Sequence, residues 1–100
     1  MKVNIQSIHF DADSKLLNFI EGKLQKLTGL SDRIIESEVT LRLDKAANNH
    51  NKIAEIRVHL PGTDLYAKRQ CKSFEEATDQ TLEALRNQLV KHKGKTNHVH

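Results

Sequence analysis

Cysteine occurs once in these 100 residues, as Cys71, so no disulfide can close within the chain. The fold must rest on burial and hydrogen bonding, and a lone thiol fits a reducing cytoplasm. Tryptophan is absent, and three phenylalanines and one tyrosine are the whole aromatic complement. That argues against a domain that stacks successive bases on sheet aromatics, as an RNA-recognition motif does. The four glycines, at 22, 29, 62 and 94, are too scattered for a phosphate-cradling loop. No apolar run approaches the roughly 20 residues that a membrane helix needs. The opening Met1-Lys2-Val3-Asn4-Ile5-Gln6 interrupts its apolar residues with polar ones, unlike a signal peptide. The expectation is one soluble cytoplasmic domain with no membrane partner.

What is present suffices for a core: 37% of residues are hydrophobic and 29% charged. The charge is unevenly placed. Thirteen acids face twelve bases through Glu83; after it come Arg86, Lys91, Lys93 and Lys95 with no acid at all. The formal net charge of +3 therefore originates at one end of the chain. A basic cluster on an ordered helix is the electrostatic footprint of a protein that meets a phosphate backbone.

Periodicity divides the chain into six elements. Lys2 to Ile8 alternates, with Val3 and Ile5 on one side, and predicts a strand. Asp13 stands as N-cap of a helix over about 14–28, whose stripe is Leu16, Ile20, Leu24 and Leu27. Gly29 suits a left-handed C-terminal turn. Ile35 to Leu43 alternates with Ile35, Val39, Leu41 and Leu43 inward, and a polar, Asn-rich loop over 44–51 follows. Ile53 to Leu60 buries Ala54, Ile56, Val58 and Leu60. Pro61-Gly62-Thr63-Asp64 turns the chain into a fourth strand, Leu65 to Cys71. Ser73-Phe74-Glu75-Glu76 is a capping box, opening a helix that runs through about His92. Residues 96–100 read as a flexible tail. The order β-α-β-β-β-α, with every strand alternating, gives an α+β two-layer sandwich: a four-stranded sheet with both helices on one face.

The wet face of the sheet then carries Lys2, Arg42, Arg57 and Lys68 against Glu36, Glu38, Glu55 and Asp44. It is neutral and shows one aromatic, Tyr66. The helices differ. Lys15, Lys23 and Lys26 fall within an arc of about 80° beside the apolar stripe of the first helix. In the second, acids come early and bases late, which by itself suits the helix macrodipole. The dipole accounts neither for Lys95, beyond its reach, nor for the lysines of the first helix. Basic residues on two helices in one layer predict a single groove floor.

These residues carry a resemblance that covers about residues 1–95. Phe19-Ile20-Glu21-Gly22-Lys23-Leu24-Gln25-Lys26-Leu27 is similar to the pattern F-[VI]-x-x-K-[FL]-x-K-L, and Asp32-Arg33-Ile34 to D-R-I. Gln88-Leu89-Val90-Lys91-His92-Lys93-Gly94-Lys95 is similar to Q-L-x-K-[HL]-K-x-K. Together and in order, they resemble the short ribosome hibernation-promoting factors, also called ribosome-associated inhibitors and formerly sigma modulation proteins. The chain departs from the family where its second helix opens, usually as D-[ML]-Y-x-A-[IV]-D. Here Ser73-Phe74-Glu75-Glu76-Ala77-Thr78-Asp79 puts Glu75 in place of the tyrosine. Longer members carry a second, C-terminal dimerising domain, which this chain is expected to lack.

The resemblance implies a stationary-phase or stress factor that docks on the small ribosomal subunit and its ribosomal RNA, in the channel of mRNA and tRNA. It would silence translation by occlusion, competing with both and using no cofactor, and would be monomeric off the ribosome. Correspondence carries over Lys23, Lys26, Lys91, Lys93 and Lys95 as RNA-binding; the geometry adds Lys15, Lys72 and Arg86. Arg33 matches too, and is either a contact or a structural residue at the start of the second strand. The alternative is a general structured-RNA-binding module not specific to ribosomes. An enzyme is disfavoured: Cys71 has no histidine base on its face of the sheet. His92, His98 and His100 have no cysteine or carboxylate partner for a metal. His9, His50 and His59 read as surface histidines.

Overall fold

In the computed structural model the backbone is described over residues 2–45 and 49–97, and side chains as far as His92. The elements are β1 (Lys2–Ile8), α1 (Ser14–Thr28), β2 (Glu36–Leu43), β3 (Lys52–Leu60), β4 (Thr63–Cys71) and α2 (Phe74–Asn97). The sheet order is β1-β2-β3-β4. β1 and β2 pair in parallel, which requires a crossover, and α1 supplies it. β2, β3 and β4 form the expected antiparallel meander. Because β1 and β4 point the same way and each is followed by a returning helix, α1 and α2 run parallel and pack side by side.

Local chemistry explains the boundaries. The Asp13 carboxylate accepts from the Leu16 N–H at 2.8 Å, capping α1. Ser73 Oγ accepts from the Glu76 N–H at 3.1 Å at the start of α2. Gly62 adopts φ 82°, the left-handed position that the two-residue link Pro61–Gly62 between β3 and β4 requires. Phe10 stacks on Phe74 with ring centroids 4.5 Å apart, pinning the β1–α1 connection to the start of α2. The core lies between helices and sheet. Ile20 and Leu24 of α1, Val39 and Leu41 of β2, Ile56 and Val58 of β3, and Leu85 of α2 are all essentially inaccessible. Truncating one such residue, as in Leu24→Ala, costs about 2–5 kcal/mol.

Four boundary expectations are corrected. Gly29 is right-handed, φ −64°; α1 ends instead by tightening, with Leu30 N–H bonded to Leu27 O and Ser31 N–H to Thr28 O. Ile35 precedes β2 and is 58% exposed, while Ile34 takes the buried place near the end of α1. Arg33 is likewise outside the strand, exposed in the preceding turn. The backbone of α2 continues past His92 to Asn97. Gly94 costs a helix only about 1 kcal/mol relative to alanine, and no proline stands near to stop it. Part of the Asn-rich loop and residues 98–100, with His98 and His100, lie outside the described residues.

A mixed-charge cleft between the helices

The apolar stripe of α1 faces the sheet, and Lys23 and Lys26 beside that stripe lie on the side toward α2. On α2, Asp79, Leu82, Glu83 and Arg86 follow one another at helical spacing on the side turned to α1. Between the two rows lies a cleft of about 320 Å³, lined by Lys23, Lys26, Leu27, Leu30, Asp79, Leu82, Glu83 and Arg86. Its floor is leucine and its walls are charged. Lys23 Nζ lies 3.3 Å from Asp79 Oδ1 and 5.4 Å from the centre of the Phe19 ring. Both partners of that ion pair are substantially exposed, so it contributes at most about 1 kcal/mol.

The cleft thus brings together Lys23, Lys26 and Arg86 from two elements distant in sequence, in its walls and not as the expected basic floor. It does not include Lys15 or Lys72. Both are exposed, and both sit where the helices begin, away from the cleft lining. Lys91 is exposed on α2. Five residues beyond Arg86, it lies about 140° around the helix from it, off the cleft row. The side chains of Lys93 and Lys95 lie outside the described residues. The reading of the sequence missed Asp79 and Glu83 as cleft walls. Their spacing to Arg86 was visible, but that this row faces α1 was not.

The other surfaces suit a polyanion less well. On the outer sheet face, Arg42 and His59 are engaged by carboxylates. Arg42 bonds Glu55, which also accepts from the Tyr66 hydroxyl at 3.2 Å. Arg57 lies 5.5 Å from the Tyr66 ring centre. His59 bridges Glu38 at 2.7 Å and Asp64 at 2.8 Å. These hydrogen bonds, Glu38's first, raise the His59 pKa above its ordinary 6.5. So His59 joins β2, β3 and β4, which a plain surface histidine would not do. Burial first, and Glu55 second, raise the Tyr66 pKa. A larger cleft of about 570 Å³ beside α1 is lined by Val3, Glu21, Gln25, Thr28, Ser31, Asp32 and Ile34, with two acids and no base. Cys71 is buried, and burial pushes its thiol pKa up, away from nucleophilic character. Among the described residues no cluster of His, Cys, Asp and Glu could hold a metal, and no helix is long and apolar enough to cross a membrane.

Comparison with known proteins gives the family and the fold. The family model described as "Sigma 54 modulation protein / S30EA ribosomal protein" matches residues 3–97. The ribosome hibernation promoting factor of Klebsiella oxytoca is 27% identical over 95 residues, covering 95% of this chain and 96% of that protein. The Azotobacter vinelandii protein of the same name is 28% identical over 95 residues, covering 95% of this chain and 85% of its own length. A ribosomal subunit interface protein from Coxiella burnetii shares the fold with a TM-score of 0.84 at 23% identity, covering 94% of this chain and 99% of that one. The N-terminal domain of Thermus thermophilus Protein Y does so with a TM-score of 0.80 at 22% identity, covering 92% and 99%.

Proposed function

This chain belongs to the Sigma 54 modulation protein / S30EA ribosomal protein family, and from that premise we propose that it is a ribosome hibernation factor. It binds the small ribosomal subunit through the α1–α2 side and silences translation by occupying the channel of mRNA and tRNA. The observation that carries this reading is the convergence of Lys23, Lys26 and Arg86 on one inter-helix cleft, opposite a sheet face where Arg42 and His59 are engaged by carboxylates. Lys15 and Lys72, exposed where the helices begin, and Lys91, exposed on α2, are assigned together with Lys93 and Lys95 as further contacts. These eight residues contact ribosomal RNA phosphates. No bond is made or broken; the protein body excludes the ligands of translation.

Such binding is driven by release of counterions. With six to eight phosphates neutralised, log affinity falls against log salt with a slope of about 0.7–0.9 per contact. Sedimentation with ribosomes through a sucrose gradient at low and high salt tests this reading. Co-migration with the small subunit or the whole ribosome, lost at high salt, is the expected result. Protein left at the top of the gradient at low salt would refute ribosome binding. Equal affinity for ribosomes and a free RNA duplex would favour a general structured-RNA module instead.

A further inference from the structure

A cleft shaped only for affinity to phosphate would contain no carboxylates, yet this one contains two. Asp79 and Glu83 are not explained by the start of α2. The cap there is Ser73 and the dipole acts over the first turn, which already holds Glu75 and Glu76. Nor does burial demand them, since both are exposed. What Asp79 does is reach across the helices to Lys23 at 3.3 Å.

Accepting the ribosomal reading, we propose that Asp79, supported by Glu83, is a specificity-determining residue of the cleft. It holds Lys23 in an ion pair, so that an isolated or mobile phosphate meets a cleft with three bases and two acids and gains little. Along α2 the row runs from acid to base: Asp79, Glu83, Arg86. Seven residues separate its ends, about 10 Å along the axis. A ligand must therefore present phosphates at the Lys26–Arg86 end and keep them away from the Asp79 end. A folded RNA surface with fixed phosphate positions can do so. A uniform duplex, whose phosphates fill the groove throughout, places some against the carboxylates. Specificity then comes from repulsion of the wrong ligand as much as from attraction of the right one. The Lys23–Asp79 pair is exposed and weak, so the correct surface can still recruit Lys23.

The test compares wild type, Asp79→Asn and the double variant Asp79→Asn/Glu83→Gln, all near-isosteric, against two probes at one salt concentration: purified ribosomes and a short perfect RNA duplex. The expected result is a rise in duplex affinity of about twofold to fivefold for Asp79→Asn, the scale of one exposed charge, and more for the double variant. Ribosome affinity should rise by a smaller factor than duplex affinity, so selectivity falls. A merely structural tie between α1 and α2 would move the melting temperature but leave the ratio of the two affinities alone. Wild-type binding to ribosomes with an unchanged ratio in both variants would overturn this inference and leave the ribosomal reading standing. Failure of the wild type to bind ribosomes would overturn that reading and this inference together.

Discussion

Two threonines one turn apart on α2 should respond to the same substitution with opposite signs. Thr78 and Thr81 are both fully buried. Thr81 Oγ1 donates to the Ala77 carbonyl at 2.7 Å and lies 3.2 Å from the Ala54 carbonyl of β3, so its hydroxyl is satisfied and ties helix to sheet. Thr78 Oγ1 has no hydrogen-bond partner among the described residues. It does not take the carbonyl four residues back, the usual recourse of a helical threonine. A buried hydroxyl without a partner costs about 1–3 kcal/mol. Valine has nearly the same shape and the same branching at Cβ, so Thr78→Val removes that cost without opening a cavity. It is also what the family pattern carries here, Ile or Val. We expect Thr78→Val to stabilise by about 1–2 kcal/mol and Thr81→Val to destabilise by about 1 kcal/mol, the net worth of one hydrogen bond. At about 4–8 °C per kcal/mol for a domain of this size, Tm should rise by about 5–15 °C in the first and fall by about 4–8 °C in the second. Thermal and urea unfolding followed by circular dichroism measure both. A lowered Tm in Thr78→Val would refute the reasoning and reveal a partner for the hydroxyl. Shifts of the same sign in both variants would assign the effect to helix propensity or packing rather than to hydrogen bonding.

Three further outcomes follow from particular contacts. Lys26→Ala with Arg86→Ala should weaken ribosome binding and flatten its log–log salt slope by about 1.5, with Tm nearly unchanged; a large fall in Tm would reassign the pair to stability. His59 has a raised pKa when folded, so its bridge to Glu38 and Asp64 is fully stabilising below the ordinary value of 6.5 and is lost as pH rises through the raised folded value. The stability gap between wild type and His59→Asn should therefore be larger in mildly acidic than in alkaline buffer, and equal gaps in urea titrations at both would contradict it. Gly62→Ala meets open space but must hold φ 82°, so unfolding should report a loss of about 1–2 kcal/mol from backbone strain alone.

The six elements, their order and most of their inward residues were legible in the sequence, because those depend on periodicity and capping, which are local. Alternation placed Val39, Ile56 and Val58 in the core, and Asp13 and Ser73 fixed the helix starts. Local pattern failed where a neighbour decides. Gly29 could have ended α1 in either hand, and the tightened turn leading to Leu30 chose the right-handed one. Ile34 and Ile35 are adjacent and equally apolar, and only the cover provided by the end of α1 buries one and exposes the other. The cleft itself is a tertiary object. Lys23 and Lys26 stand some sixty residues of chain from Arg86, and their meeting with it depends on two helices running parallel over one sheet face. The same packing set Asp79 against Lys23, because charge pairing between helices is fixed by their rotation about their own axes, and side-chain packing against the sheet sets that rotation.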